Sequence, residues 1–565
     1  MGNYFNEQRE FLLQFIDIDD VITELEDGFS HSSPESLRSV AEAWEWYRMI
    51  LKNAGEIASD FIWPRAGEVD RKGARFEAGK VEWADETKEN MKVLSDSGLM
   101  GGTLEKRYGG LNLPIVINNL VIEMISQADA SLMNLFGLQD IAVTIQKFGT
   151  DEQRNRILPK FASGEVSGAM SLTEPDSGSD LQTVKLRGIE KDGKWYLNGV
   201  KHFITNGSAD VHLVLARTEE GEKDGRGLSM MLYEKDENLI VRRIEDKLGI
   251  HGSPTCELQY NMAECELVGK RRFGLVKYMM SLLNGARLAT SAQGLGIAQA
   301  AYEEAVKYAN ERVQFGKKIV NFPAVYQMLN RMNVEIETAR LLLYHAALAV
   351  DRHEMFEKKA LRGENVRMEL KKAAVLSNFL TPLAKFVCTE LSNTISYDSL
   401  QIHGGVGYMK DFPVERLYRD ARITNIYEGT TQLQVVAAIG AVTSGFFFEL
   451  IRDSVKGTLT VLNESGELIR KFAGEMEMIT DRIKKLDSRE FIDYTANYLI
   501  EMASVLYRLA VYLPVAENHD NKRELFRFFL TDSESRLEFL IKKITKLLDN
   551  YGAEIGTLKN TFLRH

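Results

Sequence analysis

Arg419-Asp420-Ala421-Arg422-Ile423-Thr424-Asn425-Ile426-Tyr427-Glu428-Gly429-Thr430-Thr431 is the most informative run in this 565-residue chain. Gly429 permits a sharp reversal, because a residue without Cβ enters the left-handed backbone region without strain. Thr431-x-x-Gln434 has the spacing of a capping box opening the next helix. Glu428 is therefore expected on a loop at a helix start. Covering a carboxylate at such a place with ligand raises its proton affinity by desolvation, which suits it to act as a general base. Taken alone, the run also fits a surface glutamate stabilised by the helix dipole.

Helical periodicity surrounds it. Apolar residues at three- and four-residue spacing predict helices over 287–312, 324–350, 366–397 and 430–450. A glycine- and proline-bearing loop at 404–413 interrupts them, and Gln401-Ile-His-Gly-Gly-Val-Gly407 leads into it. Gly404 and Gly405 there allow close backbone approach, whereas His403 reads as a packing or capping residue. Arg312-Val-Gln-Phe-Gly316 closes another helix. Gly294-Leu-Gly-Ile-Ala lies inside a helix with no strand before it, so it fails as a dinucleotide fingerprint and reads as close helix packing. Residues 451–565 are expected to form further amphipathic helices, broken near Pro514 and Asn518-His-Asp-Asn521. Within them, Leu540-Ile-Lys-Lys-Ile-Thr-Lys-Leu-Leu548 is basic and amphipathic, fitting domain packing or a membrane surface.

Upstream the pattern differs. Residues 1–165 read as helical, with helices over 37–57, 81–98 and 115–126 and a capping box at Thr150-Asp-Glu-Gln153. From 167 to 268 strands are expected at 194–197, 203–205, 212–215 and 228–233, with Asp192-Gly193 and Asn198-Gly199 as hairpin turns. Gly168-Ala-Met-Ser-Leu-Thr-Glu-Pro-Asp-Ser-Gly-Ser-Asp180 turns on glycine and hydroxyls. It offers backbone N–H groups and Thr173 or Ser179 to an anionic or heteroaromatic ligand, although an ordinary polar loop has the same composition. Asn198-Gly-Val-Lys-His-Phe-Ile-Thr-Asn-Gly207 sets Phe203 and Thr205 on one strand face, where a ring and a hydroxyl could meet a planar ligand.

Composition narrows the classes. Net charge is −11, against nucleic acid as the main partner, and apolar residues at 44% with charged residues at 27% are those of a globular protein. No run approaches the ~20 apolar residues of a membrane helix. Cys256, Cys265 and Cys388 form no CxxC pair, so a reducing compartment is expected, with neither a disulfide framework nor a cysteine-type zinc site. The start shows no signal pattern, and a cytoplasmic protein is expected. The 20 methionines read as core.

Taken in order, Thr173-Glu-Pro, Ile204-Thr-Asn-Gly, Arg312-x-Gln-Phe-Gly and Ile426-Tyr-Glu-Gly-Thr resemble the acyl-CoA dehydrogenase family over about residues 40–445. The chain beyond resembles the helical extension of the very-long-chain branch. The resemblance implies a mostly α fold with a central β domain: an N-terminal helical domain (1–165), a barrel-like middle domain (166–272), a four-helix domain (273–445) and an added helical extension (446–565). It implies FAD, with Leu172, Thr173, Gly178, Ser179, Phe203 and Thr205 about the isoalloxazine and pyrophosphate, and Thr430 and Gln432 continuing the contacts. Arg312, Phe315, Gln401 and Gly405 would reach the FAD of a neighbouring subunit, in a homodimer or homotetramer. Ser179, Arg287, Tyr427 and Gly429 would meet the acyl-CoA.

The implied reaction has Glu428 take the α-proton of the thioester while the β-hydride passes to flavin N5, giving a trans-2-enoyl-CoA, with an electron-transfer flavoprotein as acceptor. An acyl-CoA oxidase and a non-catalytic scaffold are the alternatives. Some branches carry the base immediately before the arginine that is Arg287 here; Ala286 cannot serve, leaving Glu428. Pro323 and Val435 depart from a frequent glutamine and arginine. Residues 131–136 lack the arginine that glutaryl-CoA dehydrogenases use, which argues against decarboxylation.

Overall fold

The computed structural model describes residues 2–30, 36–456 and 462–558. The chain opens with helices α1 (Glu7–Leu13), α2 (Asp19–Leu25), α3 (Val40–Glu56) and α4 (Trp63–Lys72). A hairpin of β1 (Arg75–Glu77) and β2 (Lys80–Glu82) precedes α5 (Asp85–Asp96), α6 (Ile115–Ala128), α7 (Ala130–Phe136), α8 (Ile141–Phe148) and α9 (Asp151–Ser163). Strands β3 (Gly168–Ser171), β4 (Arg187–Lys191), β5 (Lys194–Thr205), β6 (Val211–Arg217), β7 (Leu228–Glu234), β8 (Leu239–Ile244) and β9 (Thr255–Leu267) follow. Helix α10 (Met280–Glu311) leads to a two-residue-strand hairpin, β10 (Val313–Gln314) and β11 (Lys317–Lys318). The remaining helices are α11 (Pro323–Leu361), α12 (Arg367–His403), α13 (Val414–Thr424), α14 (Thr431–Thr443), α15 (Phe446–Ser454), α16 (Asn463–Lys485), α17 (Arg489–Asn518) and α18 (Asp520–Asn550).

Two compact units share this order. One comprises the start to Asn6, Asp19–Ala300 and Gly405–Glu428; the other comprises Glu7–Ile18, Ala301–Gly404 and the chain from Gly429 onward.

In the first unit, α6 and α7 are the buried centre of the N-terminal helices, and Asp129 between them caps α7 by accepting from the Ser131 and Leu132 N–H groups. The capping box at Thr150 and Gln153 forms as the spacing predicts. Gly296 of α10 lies against α6 so closely that a Cβ there would meet the Glu123 carbonyl oxygen at 2.4 Å. Gly296 therefore serves helix packing. The strands run β3-β6-β4-β5-β9-β7, a further β6–β7 pairing closes β6, β4, β5, β9 and β7 into a barrel, and β3 and β8 add to it at β6 and β9. Apolar residues cover both strand faces: Leu213, Leu215 and Met230 pack with Ile145, Ile157 and Phe161 of α8 and α9, while Val214, Met231, Leu258 and Tyr260 fill the interior.

Two expectations fail in this unit for local reasons, and a third holds. Residues 75–82 form a hairpin, because Ala78 (φ 50°) and Gly79 (φ 79°) make a tight turn, and the helix expected from 81 starts at Asp85. Asp192-Gly193 is a hairpin turn with both residues at positive φ. Asn198-Gly199 is not. It lies inside the twelve-residue β5 at a register shift against β9, where a Cβ on Gly199 would sit 3.1 Å from Leu186 Cα.

In the second unit, α11, α12, α14 and the end of α10 form the four-helix bundle. Ser399 of α12 donates to the Ala301 carbonyl, and His403 stacks on Tyr308 at 4.4 Å, so that histidine packs. Helices α16–α18 join the bundle through a buried polar node: Glu337 of α11 accepts from Lys522 Nζ (2.6 Å), Tyr512 Oη (2.5 Å) and Gln8 Nε2 (2.5 Å). Pro514 sits within α17, and the chain turns instead at His519. Helix α17 is long and apolar enough to cross a membrane, contrary to the reading of the sequence, yet 83% of its most apolar window is buried in the fold. Leu540, Ile544 and Leu548 of α18 are buried as well, so the apolar side of that basic stretch faces protein.

Candidate active site

Helix α13 anchors the run that ends at Glu428. Arg419 pairs with Asp70 of α4 (2.6 Å) and Glu415 (2.7 Å), and the buried Asp420 carboxylate accepts the Ile250 N–H at 2.5 Å. Burial pushes the Asp420 carboxyl up to about 6, against the opposing charge of Arg416. The helix then ends: the N–H groups of Ile426 and Tyr427 both return to the Ile423 carbonyl, and the backbone turns left-handed at Glu428 (φ 53°) and again at Gly429 (φ 88°). A non-glycine residue held at positive φ costs of order 1 kcal/mol or more and persists where its surroundings fix it.

The residue before that turn, Tyr427, is held by side chains of other helices. Its hydroxyl donates to Gln293 Oε1 of α10 and lies 3.1 Å from Asn134 Oδ1 of α7. Gln293 Nε2 donates to Asn134 Oδ1 (2.9 Å) and to the Ala130 carbonyl (2.8 Å), and Asn134 Nδ2 reaches Ser253 Oγ (3.3 Å). Asn134, Gln293 and Ser253 are all buried. Burial holds the phenol well above its ordinary range, so it stays neutral. Tyr427, expected to touch substrate, thus commits its hydroxyl to protein. Asn134 and Gln293 were not foreseen from sequence, since a polar residue on a buried helix face carries no local signature.

Arg287, on the same helix as Gln293, brings a positive charge toward Glu428. Burial depresses its guanidinium, and the Glu428 charge partly offsets that. Its Nη1 donates to Asn284 Oδ1 at 3.3 Å, while its buried Nε has no hydrogen-bond partner among the described residues. The sequence reading named both residues but not the charge interaction between them.

The Thr-Glu-Pro segment is braced against β5. Lys201 Nζ donates to the Leu172 carbonyl (2.7 Å) and to Glu174 Oε1 (2.9 Å), and Glu174 also accepts the Lys185 and Leu186 N–H groups. Thr173 and His202 bond to each other through the Thr173 hydroxyl and the His202 N–H. At this point β5 carries a bulge, one extra residue between Lys201 and Ile204. It throws Phe203 into a left-handed backbone (φ 59°), 60% exposed and stacked on His202 at 3.9 Å, while Ile204 turns inward and Thr205 pairs with Thr255. Gly178 and Ser179 are exposed, and a Cβ on Gly178 would meet nothing within 4 Å. His202, Glu245 and Glu257 come close enough to hold a metal, but Arg242 and Arg243 already pair with the two carboxylates.

Gly405 in the first unit is exposed. In the second unit, Arg312 and Phe315 lie on the β10–β11 hairpin, with Phe315 93% exposed at its tip, and Gln401 is exposed near the end of α12. Thr430 is the N-cap of α14, accepting the Leu433 N–H, and Gln432 is exposed. The expected capping box on Thr431 and Gln434 does not form. The helix begins one residue earlier than that spacing requires, so Thr431 donates to Glu390 and Gln434 Nε2 donates to the Gly429 carbonyl. Lys385 Nζ donates to the same carbonyl at 2.6 Å.

Comparison with known proteins gives the family and the fold. The acyl-CoA dehydrogenase N-terminal, middle and C-terminal domain families match residues 45–165, 169–263 and 276–440 in turn. An acyl-CoA dehydrogenase of Bacillus subtilis (strain 168) is 39% identical over 351 residues, 61% of this chain and 86% of its own. Butyryl-CoA dehydrogenase from Megasphaera elsdenii is 31% identical, with a TM-score of 0.61 over 70% of this chain and 97% of that one. An acyl-CoA dehydrogenase from Bacillus anthracis, solved with FAD, is 23% identical and has a TM-score of 0.76 over 95% of this chain and 94% of that one. That likeness shows that the fold, including the C-terminal helices, recurs as a whole. The chain belongs to the acyl-CoA dehydrogenase family, whose flavoenzymes act on acyl-CoA thioesters.

Membership implies FAD. The residues present suit it: an exposed aromatic ring fixed by a bulge, a braced loop at Leu172 and Thr173, and an open glycine at Gly178 beside the Ser179 hydroxyl.

Proposed function

We propose that this protein is an FAD-dependent acyl-CoA dehydrogenase in which Glu428 removes the α-proton of the thioester, yielding a trans-2-enoyl-CoA. The observation that carries this reading is the carboxylate of Glu428, set on a strained left-handed turn in the field of the half-buried Arg287. Bound FAD supplies the acceptor for the β-hydride. Leu172, Thr173 and Phe203 orient the ring, and Gly178 and Ser179 leave room for phosphate. Arg287 favours the charged form of Glu428 before the proton moves, and in this reading its guanidinium faces the CoA end of the substrate. Glu428 then holds the proton on a carboxylate oxygen. Electrons pass onward to an electron-transfer flavoprotein, and the protein works in the cytoplasm as a homodimer or homotetramer.

Anaerobic mixing of the yellow protein with straight-chain, branched and aryl acyl-CoAs tests the reading. The matching class bleaches the flavin band. Glu428→Gln keeps FAD and thioester binding and slows the bleaching by roughly two to four orders of magnitude, the scale expected for losing general-base catalysis. Rapid reduction retained in that variant would refute Glu428 as the base.

A further inference from the structure

The network behind Glu428 is closed on itself. The Tyr427 hydroxyl has one proton, which goes to Gln293 Oε1. The Gln293 amide protons go to Asn134 and to the Ala130 carbonyl, and the Asn134 amide reaches Ser253. Each donor atom thus has a protein partner. Three separate pieces of chain contribute: α7, the first half of α10 and the segment before β9. They converge on the residue immediately preceding the proposed base, whose own backbone stands in a conformation that side chains disfavour.

We infer that Asn134 and Gln293 are positioning residues for catalysis: through the hydroxyl of Tyr427 they hold the left-handed turn that aims Glu428. This rests on the reading of Glu428 as the base. Displacing a reacting group by about 1 Å costs up to roughly 100-fold in rate, so a rigid tether at the neighbouring residue has leverage on the chemical step. The hydroxyl's bond to the buried Gln293 amide, which is itself bonded to Asn134, supplies that rigidity, because each alternative rotamer would leave buried polar groups unpaired. Backbone bonds from Ile426 and Tyr427 to Ile423 carry the constraint from helix α13 up to the turn.

The test compares Tyr427→Phe, Gln293→Met and the double variant as FAD-loaded full-length proteins. The probe is whichever thioester of the straight-chain, branched and aryl panel bleaches the wild type fastest. Each single variant is expected to slow flavin reduction roughly 10- to 100-fold, with the dissociation constant for the thioester and the FAD content unchanged. The double variant is expected to be no slower than the slower single one, since both break the same tether. A raised dissociation constant with normal reduction would instead make Tyr427 a substrate contact, and additive losses would mean two independent effects; either overturns the inference. Should Gln293→Met lose its FAD, Tyr427→Phe, which removes one oxygen, decides the case alone. Rapid reduction in Glu428→Gln defeats the underlying reading, whereas an inert Glu428→Gln beside a normal Tyr427→Phe defeats only the tether.

Discussion

Adding one methyl group at Gly296 isolates the contact between α10 and α6. A Cβ built there meets the Glu123 carbonyl oxygen at 2.4 Å, the Gln127 nitrogen at 2.8 Å and Ser126 Cβ at 2.8 Å. Two of these are backbone atoms of a buried helix, so no side chain can swing aside, and the helices must part by about 1 Å to restore ordinary contact. Overpacking of this kind costs about 1–3 kcal/mol. Gly474 of α16 is the natural control. Its Cβ position meets nothing within 4 Å, so the same substitution there is expected to stabilise by about 0.5–1 kcal/mol, the helix propensity difference between glycine and alanine. Thermal melts of the FAD-loaded variants measure both. Gly296→Ala should melt below the wild type and Gly474→Ala at or above it. An unchanged midpoint for Gly296→Ala would show that the two helices do not approach as described. Because Gln293 stands one turn away, Gly296→Ala should also slow flavin reduction.

Two further substitutions probe the supports of the site. Lys201→Met leaves Glu174 buried with only the Lys185 and Leu186 N–H groups for company, and should cost about 3 kcal/mol, the lower end for breaking a buried pair; a loss below about 1 kcal/mol in denaturant melts would mean the pair does not brace the loop. The Asp70–His251–Arg419 cluster predicts a pH dependence. Burial opposes the charge on Asp70, but hydrogen bonds from His251 and Arg419 outweigh it and hold the carboxyl well below the usual range; the Asp70 bond in turn raises His251 above its ordinary 6.5. The histidine's contribution is therefore complete below pH 6.5 and fades as pH rises through its folded value, whereas that of Asp70 is present above pH 3.8 and fades only in acid. His251→Gln should lower the melting temperature more at pH 6 than at pH 8.5; an equal effect at both would exclude the pairing.

The sequence foretold long elements well, because periodicity over many residues averages out local ambiguity. Helices α10, α11 and α12, the strand-rich segment and the turn at Asp192-Gly193 lie close to where pattern places them. Two-residue signals fared worse. Asn198-Gly199 has hairpin chemistry, but pairing on both sides of β5 kept the strand running and turned the dipeptide into an irregularity. Thr430 outcompeted Thr431 for the cap, a choice between adjacent hydroxyls that spacing cannot make. Ala78-Gly79 gave no warning of a hairpin amid helices. At the site, Glu428, Arg287 and Phe203 were readable from their motifs. Asn134 and Gln293 were not, because they meet across 159 residues of chain and become intelligible only once α7 and α10 are in place.

The node at Glu337 ties both termini of the polypeptide to the middle of the bundle. Gln8 arrives from the beginning, Tyr512 and Lys522 from near the end, and Phe11 rests edge-on against His519 at 4.4 Å. During synthesis, the opening segment and α11 therefore wait for residues 512–522 before their buried carboxylate gains its cation. A clone shortened to the family's common length would expose an anionic, apolar scar where the wild-type chain is sealed, and would be prey for chaperones and proteases.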